Sequence, residues 1–389
     1  MLDAGRNRVA LIASSFAPHI GGVEEHVAQV ARGLSERGHS VEVWAVDRGE
    51  RPIEPFGHGV EVRYLPAPLP ARSLGRVANF LWCVPGAWRL WSRALRQLKP
   101  DVLHVHCFGP NGLYALALHL RSGTRLIVTS HGETNGDDTS VFDRSALLRR
   151  GLRVALRRAV AATAPTEFVL RDLRDRFGLE GGIVVPNGVA LDVEPAAVPT
   201  TGRYITAVRR LGRMKGIDLL LDAFALARDD GRLPSGVRLL VAGDGPERSR
   251  LEAQVHDLGL KDRVEMLGWR TPSEVAGLVG GAEAMVVPSR SEAFGIAALE
   301  AWRAGTALIM TSRGGAAEFM HDGEDALLVD PQDAGSLAAA IVRVVTDDGL
   351  REHLASVGRE RVGEFTWDRV TSMYQDIYAR SGDGEGASR

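Results

Sequence analysis

Short apolar runs alternate along this chain with longer stretches in which apolar residues recur every three or four positions. That is the pattern of a parallel sheet covered by helices on both faces. The apolar runs predict strands over 8–14, 40–46, 102–106, 125–130, 160–164 and 183–185, with a first helix over 23–37 stopped by Gly38. Residues 189–202 carry Pro195 and Pro199 without clear periodicity and read as a linker. The alternation then restarts. Strands are predicted over 204–208, 238–242, 264–266, 284–287, 307–311 and 326–329, and a last helix from about Trp367 to Arg380. The pattern gives an α/β chain of two Rossmann-like domains, 1–193 and 194–366. The small, polar, glycine-containing tail 381–389 is expected to be disordered.

The length of 389 residues fits two domains of ordinary size. A formal net charge of -2 argues against a nucleic-acid partner held by bulk charge. Cys83 and Cys107 are the only cysteines, too few for a disulfide framework, so a reducing, cytoplasmic setting is expected. No apolar run has the length of a membrane span. Arg6 and Arg8 precede the apolar run 9–13, a weak leader-like pattern that reads better as the first buried strand. The chain uses arginine almost throughout, and Lys99, Lys215 and Lys261 are its only lysines. That bias makes Lys215 informative.

Lys215 lies in Arg210-Leu211-Gly212-Arg213-Met214-Lys215-Gly216, after a predicted strand and before a helix. A basic pair there suits a diphosphate, although a solvated turn would read the same way. The segment 288–295, Pro-Ser-Arg-Ser-Glu-Ala-Phe-Gly, ends a strand and leads into the helix that carries Glu300. Gly295 at the helix start lets backbone N–H groups approach an anion. Glu292 and Glu300 offer carboxylates to the hydroxyls of a sugar. The bland alternative is two solvated glutamates on a surface helix, which the apolar Phe294, Ile296 and Leu299 make less fitting.

The spacing from Glu292 to Glu300 within that segment resembles the signature of the family-4 retaining glycosyltransferases. Arg210-Leu211 with Lys215-Gly216, then Gly243-Asp244-Gly245-Pro246, then Gly314-Gly315 with Glu318, are similar to that family's motifs in order and spacing. The resemblance spans nearly the whole chain. It implies the glycosyltransferase-B fold, two Rossmann-like domains facing each other across a cleft, with the last helix crossing back to the N-terminal domain. It also implies transfer of a hexosyl group from a UDP- or GDP-sugar to an acceptor hydroxyl or amine, with retention at the anomeric carbon and no cofactor. By resemblance, Arg210 and Lys215 contact the donor diphosphate and stabilise its departure, Glu292 holds sugar hydroxyls, and Glu300 holds the ribose. The backbone of Phe294, Gly295 and Ile296 cradles sugar and phosphate, and Gly268 lies near the base. The chain departs from the family at Arg209, where glycine is usual, at Ala307 for proline and at Trp302 for methionine.

In the first half, Gly21-Gly22 follows the first strand and opens a helix, as a tight turn or a close approach to ligand requires. By resemblance these glycines border the donor diphosphate. His104 and His106 project from one side of a strand, and His131 ends the next. They can be core histidines, a zinc site or cleft residues. The resemblance favours the last, with His131 at the reaction centre. His106, Glu133 and Asn135 are the acceptor-side candidates, and no metal is expected. The arginine-rich stretch 144–158 reads as a solvated face or a peripheral contact with a membrane's inner face. Phe80, Trp82, Trp88 and Trp91 read as helix packing or an aromatic wall. The acceptor, whether glycan, lipid-linked or small molecule, stays open. So do a nucleotide-sugar epimerase of the same fold and a non-catalytic nucleotide-sugar-binding protein.

Overall fold

The computed structural model describes residues 6–19, 21–52, 56–70, 74–134, 141–198 and 202–383. Two compact units form: Met1–Pro186 together with Trp367–Arg389, and Asn187–Thr366. The division falls ahead of the stretch 189–202 because Val189 already belongs to the second unit. Its N–H bonds the Phe365 carbonyl at 2.9 Å, in a parallel bridge with Thr366. The closing helix, Trp367–Asp383, belongs to the first unit and runs past Arg380. Only residues 384–389 of the expected tail lie outside the described residues.

The strands of the first unit are β1 (Arg8–Ala13), β2 (Ser40–Val46), β3 (Glu61–Leu65), β4 (Val102–His106), β5 (Arg125–Thr129), β6 (Ala161–Ala164) and β7 (Ile183–Val184). They pair in parallel in the order β3-β2-β1-β4-β5-β6-β7. The second unit holds β8 (Tyr204–Val208), β9 (Arg238–Ala242), β10 (Val264–Gly268), β11 (Ala284–Val287), β12 (Ala307–Thr311) and β13 (Leu327–Val329). Its order is β10-β9-β8-β11-β12-β13, again parallel. Central strands such as β1 and β11 are buried on both faces and so read as unbroken apolar runs. In each sheet the strand order reverses at one point, between β1 and β4 and between β8 and β11. Ligands of open parallel sheets bind beyond the carboxyl ends of the strands at such a point.

β3 is an edge strand that the hydrophobic pattern does not announce, since most of its residues are half-buried. Arg63 on β3 grips Glu42 of β2 through Nε and Nη2, at 2.8 and 2.9 Å. The helix Leu74–Leu98 settles the aromatic reading residue by residue. Trp91 is buried edge-on against Trp44, and Trp88 is half-buried. Trp82 is 86% exposed beside Leu81, so it does not pack in the core.

Candidate active site

The switch point of the second unit is built by the loops after β8 and β11. Glu292, on the second loop, is buried. Its Oε2 accepts from Ser289 Oγ at 2.8 Å, from Lys215 Nζ at 3.2 Å and from Arg209 Nη2. Its Oε1 meets Lys215 alone, at 3.4 Å. Burial by itself would raise this carboxyl. The charges of Lys215 and Arg209 and the Ser289 hydrogen bond outweigh it and hold the carboxyl at about 2. Glu292 is therefore ionised at any working pH, with one oxygen saturated by donors and the other largely open. Lys215 and Glu292, which the sequence treats as separate candidates, form one cluster. Arg210, next to the buried Arg209, is exposed.

The motif glycines of this unit have a shared physical reason. A Cβ on Gly216 would lie 1.9 Å from the Pro288 carbonyl, and one on Gly314 2.1 Å from the Glu292 carbonyl. A Cβ on Gly243 or Gly245 would lie 1.8 or 2.5 Å from the carbonyls of Arg209 and Leu211. Gly216, Gly243 and Gly314 also take positive φ, where a side chain is strained. The loops after β8, β9, β11 and β12 are thus docked backbone to backbone. Arg290 completes the frame with a two-pronged grip on Asp218, at 2.8 and 2.7 Å. Gly295, at φ 97°, opens the helix Ile296–Ala304. Its neighbour Phe294 is stacked on Phe319 in the core, so only the Phe294 backbone is available to a ligand. Ile296 and Glu300 are half-buried on that helix. Gly268 ends β10 with φ 73°, and its carbonyl accepts from Gly243 N–H at 2.8 Å.

In the first unit, Gly21 caps the helix Gly22–Glu36 without any side-chain bond. A Cβ there would meet the Glu24 carboxylate at 2.6 Å. The same helix delivers His26, which sequence reasoning missed. The available signal was its place on the buried face with Val27, Val30 and Leu34. His26 Nε2 meets Tyr374 Oη at 3.1 Å, and its ring centroid lies 4.7 Å from that of His131. His106 Nδ1 lies 3.2 Å from His131 Nε2, while His106 Nε2 is buried without a partner. His104 is engaged on both nitrogens, by Tyr378 Oη and Thr129 Oγ1, each at 2.7 Å. The closing helix therefore anchors to the histidine cluster through two tyrosines. Burial keeps His104, His106 and His131 neutral, His104 down to about 3 and the other two well below the ordinary value.

This geometry revises the zinc alternative. His104 has no nitrogen to spare, and the trio whose ring nitrogens lie within 4.8 Å of one another is His26, His106 and His131. Among the described residues this is the set with metal-ligand geometry. Glu133 is a brace between loops: Oε1 accepts from Phe108 N–H at 2.9 Å, and Oε2 from Ser130 Oγ at 2.9 Å and His131 N–H at 2.8 Å. Burial pushes its carboxyl up, against those bonds. Asn135 lies outside the described residues. Among the described residues no helix is long and apolar enough to cross a membrane.

Known proteins match this chain over both units. Residues 20–193 match the family model Glycosyltransferase Family 4, and residues 191–361 the model Glycosyl transferases group 1. A D-inositol 3-phosphate glycosyltransferase of Acidothermus cellulolyticus is 31% identical over 96% of this chain and 91% of its own length. A phosphatidylinositol N-acetylglucosaminyltransferase subunit of Arabidopsis thaliana is 29% identical over 98% and 83%. Among solved structures, sucrose-phosphate synthase from Thermosynechococcus elongatus superposes with a TM-score of 0.80 at 23% identity, covering 97% of this chain and 99% of that one. Anabaena HepE in complex with UDP gives 0.74 at 20% identity, covering 96% and 99%. Two parallel α/β units of this topology, matched along most of their lengths, have the glycosyltransferase-B fold, and the chain belongs to the family-4 glycosyltransferases.

Proposed function

We propose that this glycosyltransferase takes a hexosyl group from a UDP- or GDP-sugar and passes it to an acceptor hydroxyl or amine with retention. The observation that carries the reading is the cationic cluster at the β8/β11 switch point, where Lys215 and Arg209 enclose an ionised Glu292. Anabaena HepE was solved with UDP-glucose, which supports a nucleotide-sugar donor. In this reading Arg210 and Lys215 stabilise the leaving diphosphate. The open Oε1 of Glu292 accepts from sugar hydroxyls, and Glu300 holds the ribose. The backbone from Phe294 to Ile296 and at Gly268 lines the donor, and His131 lines the reaction centre with the buried His106 behind it. The acceptor's oxygen or nitrogen attacks the anomeric carbon from the face that the diphosphate leaves. The sugar–phosphate oxygen bond breaks, and the acceptor's proton passes to the departing phosphate. The cations already at the site balance the diphosphate charge, so no resident metal is assigned.

The test is a panel of nucleotide sugars with chelator present, first by thermal shift, since a ligand of the folded state raises apparent stability. Transfer is then followed by NMR at the anomeric carbon. A product with the donor's anomeric configuration is expected. An inverted product overturns retention, and a sugar altered without any acceptor makes the chain an epimerase.

For the acceptor, we infer delivery at an anionic lipid surface. The helices Leu74–Leu98, Pro110–Ser122 and Ala146–Arg158 pack side by side. They carry four, one and five arginines and no Asp or Glu, in a chain of net charge -2. Leu81 and Trp82 project from the first of them, 65% and 86% exposed. Basic residues beside exposed apolar ones suit an anionic interface.

A further inference from the structure

Two cations, Arg209 and Lys215, contact the carboxylate of Glu292. Arg290, nearby in sequence, is already matched to Asp218. Lys215 is about one-third exposed and so partly hydrated, whereas the Arg209 side chain is 5% exposed. One terminal nitrogen of Arg209, Nη2, donates to Glu292 Oε2. The other, Nη1, is buried and has no hydrogen-bond partner. A buried charged donor is costly unless something accepts from it. Glu292 does not need Arg209 for its own satisfaction, because Ser289 and Lys215 already serve Oε2.

The backbone fixes where this guanidinium goes. Arg209 N–H bonds the Ala242 carbonyl and Leu211 N–H the Asp244 carbonyl, each at 2.9 Å. The segment is thereby strapped to the loop after β9, with the Arg209 side chain turned inward and Arg210 outward. A planar guanidinium with one prong on a carboxylate can place its second prong on an oxyanion, which an ammonium on a single stem does less well. We propose that Arg209 is a donor-binding residue whose Nη1 takes a terminal phosphate oxygen of the nucleoside diphosphate, while Nη2 keeps Glu292 turned with Oε1 open. The assignment rests on the nucleotide-sugar reading above. It gives a ligand role to a side chain at a position where the family resemblance leads one to expect none.

The probes are UDP and GDP, with UMP and GMP as controls, titrated calorimetrically into the full chain. None carries the transferred hexose, so an effect routed only through the grip of Glu292 on that sugar's hydroxyls is silent. Arg209→Gln should weaken the diphosphate that wild type binds by about 10–100-fold. The matching monophosphate should change by no more than about 3-fold, and Arg209→Lys should recover part of the loss. Melting temperatures without ligand establish folding. If Arg209→Gln is too unstable, the pair Arg209→Gln/Glu292→Gln removes both charges together and must show the same diphosphate loss. Unchanged diphosphate affinity in a folded Arg209→Gln chain overturns the proposal, as does an equal loss for the monophosphate. Wild type that binds neither diphosphate overturns the donor reading itself.

Discussion

Replacing Glu292 by glutamine tests the cluster through stability, independently of any substrate. The carboxyl sits at about 2 against an ordinary 4.5. At about 1.4 kcal/mol per pKa unit, that difference corresponds to roughly 3 kcal/mol of folding free energy. A depressed acid contributes this above pH 4.5 and loses it as pH falls toward 2. Glutamine keeps the shape but leaves Arg209 and Lys215 facing each other across a neutral group. Urea unfolding of the full chain at pH 7 should show the transition of the second unit lowered by about 1–3 M, for slopes of about 1–3 kcal/mol per molar. Repeating the pair at pH 3.5 should narrow the gap by about 1 kcal/mol, because the unfolded carboxyl, at its ordinary 4.5, is by then mostly protonated while the folded one is still ionised. Glu292→Gln with the wild-type midpoint at pH 7, or a gap indifferent to pH, would refute the claim that the two cations are held by this carboxylate.

The remaining expectations follow from the same geometry. Lys215→Ala and Arg210→Ala should each lower turnover about 10²–10³-fold, and near wild-type kinetics in both would remove the diphosphate assignment. Acid should weaken the first unit, since His104, His106 and His131 are neutral when folded and take up protons only on unfolding. The stability this contributes is present above about pH 6.5 and is lost progressively as pH falls below it; calorimetry showing a flat melting temperature between about pH 7 and pH 5 would contradict it. Vesicles containing anionic lipid should retain the chain on sedimentation and neutral ones should not. Trp82→Ala should release it, and equal retention by both vesicle types would remove the lipid-surface reading.

Strand content was legible because parallel strands buried on two faces are unbroken apolar runs: β2, β4, β8, β9, β11 and β12 match the residues read from the pattern alone. β3 was not legible, since its half-buried side chains carry no such run. The residues 189–202 looked like a linker because the tie from Val189 to Phe365 is a backbone bond between distant segments, and no side-chain pattern encodes it. At the site, motif spacing located Lys215 and Glu292, but their contact depends on two loops meeting at a sheet reversal. Arg209 was visible only as an odd residue; its burial and its free nitrogen are tertiary facts. His26 was hidden for the opposite reason, because a histidine on the apolar face of a helix reads as core until a second histidine is found beside it.

The glycines whose missing side chains let the second unit's loops touch carry a consequence for divergence. Gly216, Gly243, Gly245 and Gly314 leave no room for a methyl group against a neighbouring carbonyl. Substituting any of them would force its loop away from the next, so the four loops change position together or not at all. A descendant of this chain that comes to use another donor cannot do so by reshaping one loop. It must exchange side chains on an unmoved frame, and an arginine in place of a glycine at residue 209 is a change of that kind.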